Sequence, residues 1–329
     1  MFKITLLLVA LVAAHGAAAA PKSGGRAEAD KYQAWRTAAE AVLIARADAA
    51  SLATAAALRH FGAAAAARSG LPKSEPSALE LAARASELAP QDPSIGWLHL
   101  QLCAATPPCD IRDVATVLRW VDADNGAAWL QTLAAAQRER DSTEVERVLA
   151  DMARAVHFDF YWNRLVVLMV DALAAARDQL PGGFAASDSA RLTMVTQLAG
   201  AEIIPSVTPL LEACREAGAG AERRELCLKL SKIMQRGDTV VAQLAGFSIE
   251  RHLVAPDGRE ARALAERRRV LDWRMAEAGK FDNPLLPWTK NARARTRLAQ
   301  MRAKPREEDV SIAILQTHKV ALDPPEVHP

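Results

Sequence analysis

The sequence predicts an all-α protein built of stacked helical hairpins, and three observations lead there. Half of the 329 residues are hydrophobic but only 5% are aromatic, and alanine is abundant. Alanine has the highest helix propensity, whereas the β-branched and aromatic residues that favour strands are scarce. Apolar residues recur with helical spacing, and turn signals interrupt them about every 12 to 18 residues. With a net charge of +2, this composition excludes a disordered chain and argues against collagen, a disulfide knot and a β-barrel.

The first residues have the pattern of a secretory signal peptide. Lys3 supplies a short basic start, residues 4–14 form an apolar stretch, and an Ala-x-Ala end follows. We expect a signal peptide over residues 1–19, with cleavage near Ala19 or Ala20. The apolar run is too short to span about 30 Å of hydrocarbon comfortably, so a retained membrane anchor is the less favoured alternative. The sequence therefore predicts an exported protein, periplasmic or secreted.

Residues 20–77 are predicted to form an alanine-rich helical pair with a linker. Helical periodicity covers residues 27–46 and 48–60. Residues 62–76 are rich in Ala, Gly, Ser and Pro, a composition typical of a connecting segment.

A repeat with a period of about 32 residues begins near residue 78. The sequence LAPQDP at 88–93 precedes GWL at 96–98, and WVDADN at 120–125 precedes AWL at 128–130. A weaker third copy leads from residue 152 to Tyr161-Trp162. The pattern predicts three helix pairs, over 78–89/94–105, 111–121/126–138 and 143–156/161–177.

Residues 78–177 resemble tetratricopeptide-like helical-hairpin repeats, in which a helix ends in Ala/Leu-x-Pro-x-Asp and the next opens with Trp-Leu. The sequence departs from the family at Gln101, where a small residue is expected, and in its shorter period. The resemblance implies a TPR-like α-solenoid over 78–180, with a groove for peptides or protein surfaces. The residues alone favour a simpler interpretation of Trp97 and Trp129, as core residues between hairpins.

The Pro-Gly-Gly sequence at 181–183 predicts a boundary, followed by a second helical region over 187–279. Residues 280–329 are predicted to be a basic C-terminal helix and tail. The helices expected in this half lie at 189–201, 206–217, 221–236, 238–253, 259–278, 289–304 and 307–316.

Four cysteines form two close pairs in the sequence, Cys103 with Cys109 and Cys214 with Cys227. Each pair would join the two arms of a helical hairpin and contribute about 2 to 3 kcal/mol in the chain-entropy model. Three pairings are possible, and the sequence does not exclude the long-range ones. His99 lies four residues before Cys103, as in some metal sites, but there is no C-x-x-C motif and export favours oxidation. We therefore expect structural disulfides and no metal.

Charge is distributed unevenly along the chain. Residues 75–160 contain 14 acidic and 7 basic residues, whereas residues 251–306 contain 15 basic and 6 acidic ones. A basic helix beside a tryptophan can rest on an anionic lipid or glycan, or dock on an acidic protein. In that interpretation the contacts would be Arg267, Arg268, Arg269, Arg293, Arg297 and Trp288. The favoured alternative is that the basic half packs against the acidic half or forms a solvated face.

Catalytic and cofactor motifs are missing from the sequence: there is no G-x-S-x-G, H-E-x-x-H, S-x-x-K, Walker loop or dinucleotide fingerprint. The sequence therefore predicts no catalytic residue and no cofactor. We expect a protein–protein interaction or scaffold module whose partner is another envelope protein, and no binding of nucleic acid. A peripheral binder of the envelope surface, acting through the arginine-rich helices, is the first alternative. An unrecognised envelope enzyme is the second, and it would show a buried, titration-shifted Glu or His in a cleft.

Overall fold

The computed structural model describes residues 23–68, 75–202, 204–216, 220–281 and 291–325. These residues form fifteen α-helices and one 3-10 turn, and they contain no β-strand. The predicted all-α class is confirmed. The predicted signal peptide lies outside the described residues.

The first eight α-helices cover the N-terminal half of the chain. They are α1 (Ser23–Arg46), α2 (Ala49–Arg68), α3 (Ala78–Leu88), α4 (Pro93–Ala104), α5 (Ile111–Val121), α6 (Leu130–Glu139), α7 (Ser142–Met152) and α8 (Trp162–Ala175), with the 3-10 turn Gly126–Trp129 before α6. Seven more follow: α9 (Asp188–Glu202), α10 (Thr208–Glu216), α11 (Ala221–Met234), α12 (Val240–Leu253), α13 (Arg259–Phe281), α14 (Asn291–Ala303) and α15 (Glu307–Thr317).

Side-chain caps fix the starts of the helices in the repeat region. Ser77 and Glu80 form a reciprocal capping box at α3. The side chains of Asp92, Asp110 and Asp141 accept backbone N–H groups at the starts of α4, α5 and α7. Each cap satisfies donors that a helix start leaves unpaired, which explains why these boundaries were readable from the sequence.

The structure differs from the predicted elements in two places. Helix α2 continues to Arg68, so the predicted linker is wrong for residues 62–68. The alanine run at 63–67 sustains the helix because alanine loses so little entropy in it. The helix expected over 126–138 begins instead as a 3-10 turn, which Asn125 caps by accepting the N–H of Ala127.

One continuous hydrophobic core includes residues from Trp35 in α1 to Leu315 in α15. Helix α8 lies at its centre, in contact with α2, α4, α9 and α14. Consecutive helices pack together from α1 to α7, and α11 packs on both α7 and α12. Four residues, Phe247, Val254, Leu264 and Leu271, form a separate small cluster between α12 and α13.

Two disulfides join the pairs that the sequence singles out. Cys103 is bonded to Cys109 after α4, with Cα atoms 5.3 Å apart. Cys214 is bonded to Cys227, which ties α10 to α11 at a Cα separation of 5.6 Å. Because Cys103 is in a disulfide, its sulfur is not free to bind a metal beside His99.

Candidate binding cleft

The arginines singled out in the sequence lie on two separate helices. Arg267, Arg268 and Arg269 are on α13, whereas Arg293 and Arg297 are on α14. Both helices pack on α15. The sixth predicted contact, Trp288, lies outside the described residues.

Most of these guanidinium groups already have partners within the chain. Arg268 Nε lies 2.8 Å from both carboxylate oxygens of Asp272, and Arg269 forms a two-bond pair with Glu266. Arg267 donates to both oxygens of Glu250 at 3.2 Å. These carboxylates lie on α12 and on α13 itself and not in the acidic stretch 75–160, so the contacts do not show the basic half packing against the acidic half.

The two arginines of α14 have different surroundings. Arg293 donates to the carbonyl of Phe281 at 3.5 Å. Arg297 is buried, and its positive charge partly offsets the burial that raises the pKa of Glu307. Arg297 therefore faces the interior and not an external anion.

A cleft of about 640 Å³ opens where the end of α5, the segment before α8 and the connection between α14 and α15 meet. We call it the His157 cleft. Its polar lining consists of Asp122, His157, Asp159, Tyr161, Arg164, Asp238 and Arg302. Pro93, Val121, Val167, Met301 and Pro305 supply its apolar lining.

Asn125 organises the floor of this cleft. Its side-chain oxygen accepts the N–H groups of Ala127 and Asp159, each at 3.0 Å. Its amide nitrogen donates to the carbonyl of Asp159 at 2.9 Å and to the hydroxyl of Tyr161 at 2.8 Å. These four bonds use all of the hydrogen-bonding capacity of the buried amide. The side chain of Asn125 thus joins the turn after α5 to the segment before α8.

His157 lies between two carboxylates. Its Nε2 is 3.1 Å from Asp122 Oδ1, and its Nδ1 is 3.0 Å from Asp159 Oδ2. Hydrogen bonds to Asp122 and Asp159 raise the pKa of His157 to about 10. The imidazole therefore carries a positive charge at neutral pH, with Nε2 hydrogen-bonded to Asp122 and the ring in an ion pair with Asp159.

The same contacts shift the pKa values of Tyr161 and Asp122, two neighbours of His157. Burial, followed by the hydrogen bond to Asp122, raises the pKa of Tyr161. Burial alone would raise the pKa of Asp122, but hydrogen bonds from His157 and Tyr161 outweigh it, and that pKa lies below its usual range. Asp122 thus stays a carboxylate opposite an imidazolium and a neutral phenol.

Asp238 holds the back of the cleft. Its two carboxylate oxygens accept the N–H groups of Phe160 and Trp162 at 2.8 and 3.1 Å, on either side of the left-handed Tyr161 (φ 57°). Burial raises the pKa of Asp238, and the nearby charge of Asp159 acts in the same direction. The adjacent Gly237 admits the Phe158 carbonyl, which a Cβ there would approach to 2.7 Å.

Trp120 and Val156 are exposed and directly precede the cleft-lining residues Val121 and His157 in the chain. Val117 and Trp120 lie one turn apart on α5 and are 58% and 74% exposed. Val156, 66% exposed, precedes His157, and its N–H donates to the carbonyl of Asp124 just after α5. We call Val117, Trp120 and Val156 the apolar rim.

Sequence reasoning did not find this cleft. Among the described arginines that the sequence singled out, none lines the cleft. Asp122, His157 and Asp238 are far apart in the chain, so no local spacing connects them. The one usable signal was the third repeat copy, because its Tyr161-Trp162 sequence marks the segment that lines the cleft.

The same approach placed the two repeat tryptophans in the core. Trp97 is fully buried and its ring stacks 5.5 Å from that of Phe160. Trp129 is only partly buried, with the Arg119 guanidinium 4.2 Å above its ring centroid. The predicted core position therefore holds for Trp97 and only in part for Trp129.

Comparison with known proteins gives no match: none to a protein-family model, none among curated proteins and none among solved structures. Among the described residues, no group of three or more His, Cys, Asp or Glu side chains is placed to bind a metal ion. Within the same ranges, no helix has both the length and the apolar character needed to span a bilayer.

Proposed function

We propose that this chain is an exported helical interaction module that acts in the periplasm and docks another envelope protein on its apolar rim. Export is supported by the signal-like start of the sequence and by the two disulfides, which persist in oxidising compartments. The TPR-like arrangement of the repeats is part of this proposal. Its support is the consecutive packing of α3 with α4 and of α4 with α5.

The exposed ring of Trp120 is the observation on which the proposal depends. Tryptophan is enriched among the residues that dominate binding energy at protein interfaces. Trp120 is largely exposed, whereas Trp97 of the preceding helix is fully buried. A partner that covers Trp120, Val117 and Val156 would remove three exposed apolar side chains from water, and such burial is the main source of affinity in these contacts.

The polar residues of the His157 cleft favour binding over proton-transfer catalysis. A general acid or base works best with a pKa near the working pH, and the pKa of His157 lies near 10. Asp122 and Asp238 are already bonded to groups of the same chain. The network thus fixes the shape of the cleft beside the rim and holds its charges in place.

Site-specific photocrosslinking in the exporting cell tests the proposal. A photoreactive residue is placed at position 120 and, as the matched control, at position 241, an exposed valine on α12. We expect one crosslinked envelope protein from position 120 and none from position 241. The complex should survive a high-salt wash, because apolar contacts are not screened.

The Trp120→Ala variant completes the test. We expect it to lose co-purification of the same protein at least tenfold while the fold stays intact. Equal crosslinking from both positions, or unchanged co-purification by Trp120→Ala, would overturn the proposal. Recovery of lipid or glycan alone, lost in high salt, would move the function to the arginine-rich helices.

A further inference from the structure

A second cavity, of about 460 Å³, lies between α11, α12, α13 and α15. It shares no lining residue with the His157 cleft. Four cations border it: Lys232, Arg236, Arg267 and Arg274. Phe247, Val270 and Leu271 form an apolar floor, and we call the whole cavity the basic groove.

The cations of the basic groove differ in how far they are neutralised. Lys232 and Arg267 share the buried carboxylate of Glu250, and Arg274 donates to Glu308 at 2.9 Å. Among the described residues, the exposed Arg236 has no hydrogen bond or ion pair through its side chain. Arg236 therefore offers a complete guanidinium fork, the geometry that binds a carboxylate or phosphate through two parallel bonds.

Gln243 adds an unfilled acceptor to the groove wall. The side chain is buried, and its amide nitrogen donates to the Gly237 carbonyl at 3.2 Å and to Glu308 at 3.3 Å. Its side-chain oxygen has no donor. An unpaired buried acceptor is energetically unfavourable, so a small movement towards a hydrogen-bond donor in the groove is favourable.

These three features specify the chemistry of a ligand. The Arg236 fork calls for an anionic group, the Gln243 oxygen for an O–H or N–H donor, and the apolar floor for a non-polar face of the ligand. A fatty acid lacks such a donor, and inorganic phosphate lacks the non-polar face. A sugar acid has all three, because its ring carries hydroxyls on its edge and C–H groups on its face.

We propose that the basic groove binds a sugar acid of an anionic glycan, with its carboxylate on Arg236 and a ring hydroxyl on Gln243. Arg267 also lines the groove, but its guanidinium is already bonded to Glu250. Arg267 is one of the arginines that the sequence suggested for anion binding, whereas Arg293 and Arg297 line no part of this groove. The proposal is independent of docking on the apolar rim.

Calorimetric titration of the full-length exported protein with galacturonate tests the proposal. The parallel titrants are galactose, galactose 1-phosphate and inorganic phosphate. We expect binding of galacturonate, no binding of galactose, and at least tenfold weaker binding of galacturonate to the Arg236→Ala variant. The matched control is Arg262→Ala, an exposed arginine of α13 outside the groove, which removes the same charge and should bind as the wild type.

NMR reports on the second contact. We expect the side-chain amide signals of Gln243 to shift on adding galacturonate in the wild type and to stay in place in the Arg236→Ala variant. Absence of galacturonate binding, equal weakening by Arg262→Ala, or unmoved Gln243 signals would overturn the proposal. Equal affinity for inorganic phosphate would contradict the proposal, because the groove would then be an unselective anion site. A preference for galactose 1-phosphate would also contradict it, because the ligand would then be a sugar phosphate.

Discussion

The hairpin region of residues 78–175 and the C-terminal region of residues 221–317 are built from different interactions. The hairpin region buries the rings of Trp97, Phe158 and Phe160, with Trp97 stacked on Phe160 and Phe158 edge-to-face with it, and one amide network around Asn125. In the C-terminal region, α13 rests on a four-residue apolar cluster and on ion pairs to Glu250 and Glu308. We infer that the first region resists screening by salt, while the second depends on its charges.

The largest effect is expected from truncating the aromatic core of the hairpin region. Trp97→Ala should lower the free energy of unfolding by about 3 to 5 kcal/mol, because it leaves a cavity beside Phe160 and Tyr161. Chemical denaturation measures the loss. The exposed Trp120→Ala serves as control and should change the same quantity by about 0.5 kcal/mol or less. Similar losses in both variants would contradict the difference in burial.

The contributions of the two disulfides to the free energy of unfolding can be compared between the two halves of the chain. Replacing Cys214 and Cys227 by serine should lower the free energy of unfolding by about 3 kcal/mol, since the bond closes the longer loop. Replacing Cys103 and Cys109 should cost about 2 kcal/mol by the same argument. The sequence separations are 13 and 6 residues. A reversed order in denaturant unfolding would show that loop length does not decide their contributions.

His157 should make stability depend on alkaline pH. Its pKa is about 10 in the folded protein and about 6.5 when unfolded. The contribution of His157 to stability is therefore complete when the pH is below the pKa of the unfolded state. It is lost as the pH rises through the pKa of the folded state. Because the ring is one-third exposed, we expect a loss of about 2 kcal/mol after solvent screening.

Denaturation of the wild type and of His157→Ala at neutral and alkaline pH measures this contribution. The difference in the free energy of unfolding between the two proteins should shrink as the pH rises to about 10. His252→Ala is the control, because His252 contacts only the carbonyl of Ser248 through its ring nitrogen. A difference that does not change with pH would show that His157 is not held as a cation.

The smallest effect is the response of α13 to salt. Raising the salt from about 0.05 M to about 1 M shortens the Debye length to about 3 Å and weakens the pairs of Arg267 with Glu250 and of Arg274 with Glu308. Hydrogen exchange should show the opening free energy of α13 falling by about 1 kcal/mol or less. The amides of α8 should be unaffected. An equal response in both helices would remove the distinction between the regions.

The sequence was sufficient for the helices but not for the sites. Aspartate caps at 92, 110 and 141 and regular apolar spacing identify helices locally, so their positions were predicted closely. The His157 cleft depends on long-range pairing, above all between Asp238 and the backbone N–H groups of Phe160 and Trp162. No motif at short spacing encodes that pairing. The basic groove shows the same limit, since Arg267 was singled out for its charge alone whereas Gln243 gave no signal.

Asp238 bonds two other parts of the chain. Its carboxylate accepts N–H groups at 160 and 162, and its backbone carbonyl accepts the N–H of Glu307. During synthesis from the N-terminus, the segment before α8 emerges long before Asp238, and Asp238 emerges well before α15. All residues of the hairpin region have therefore been synthesised before Asp238 is present to bond the N–H groups at 160 and 162. The cleft closes only when most of the chain has been made, so a chaperone acting on this protein would meet Phe160 and Trp162 while their backbones are still unpaired.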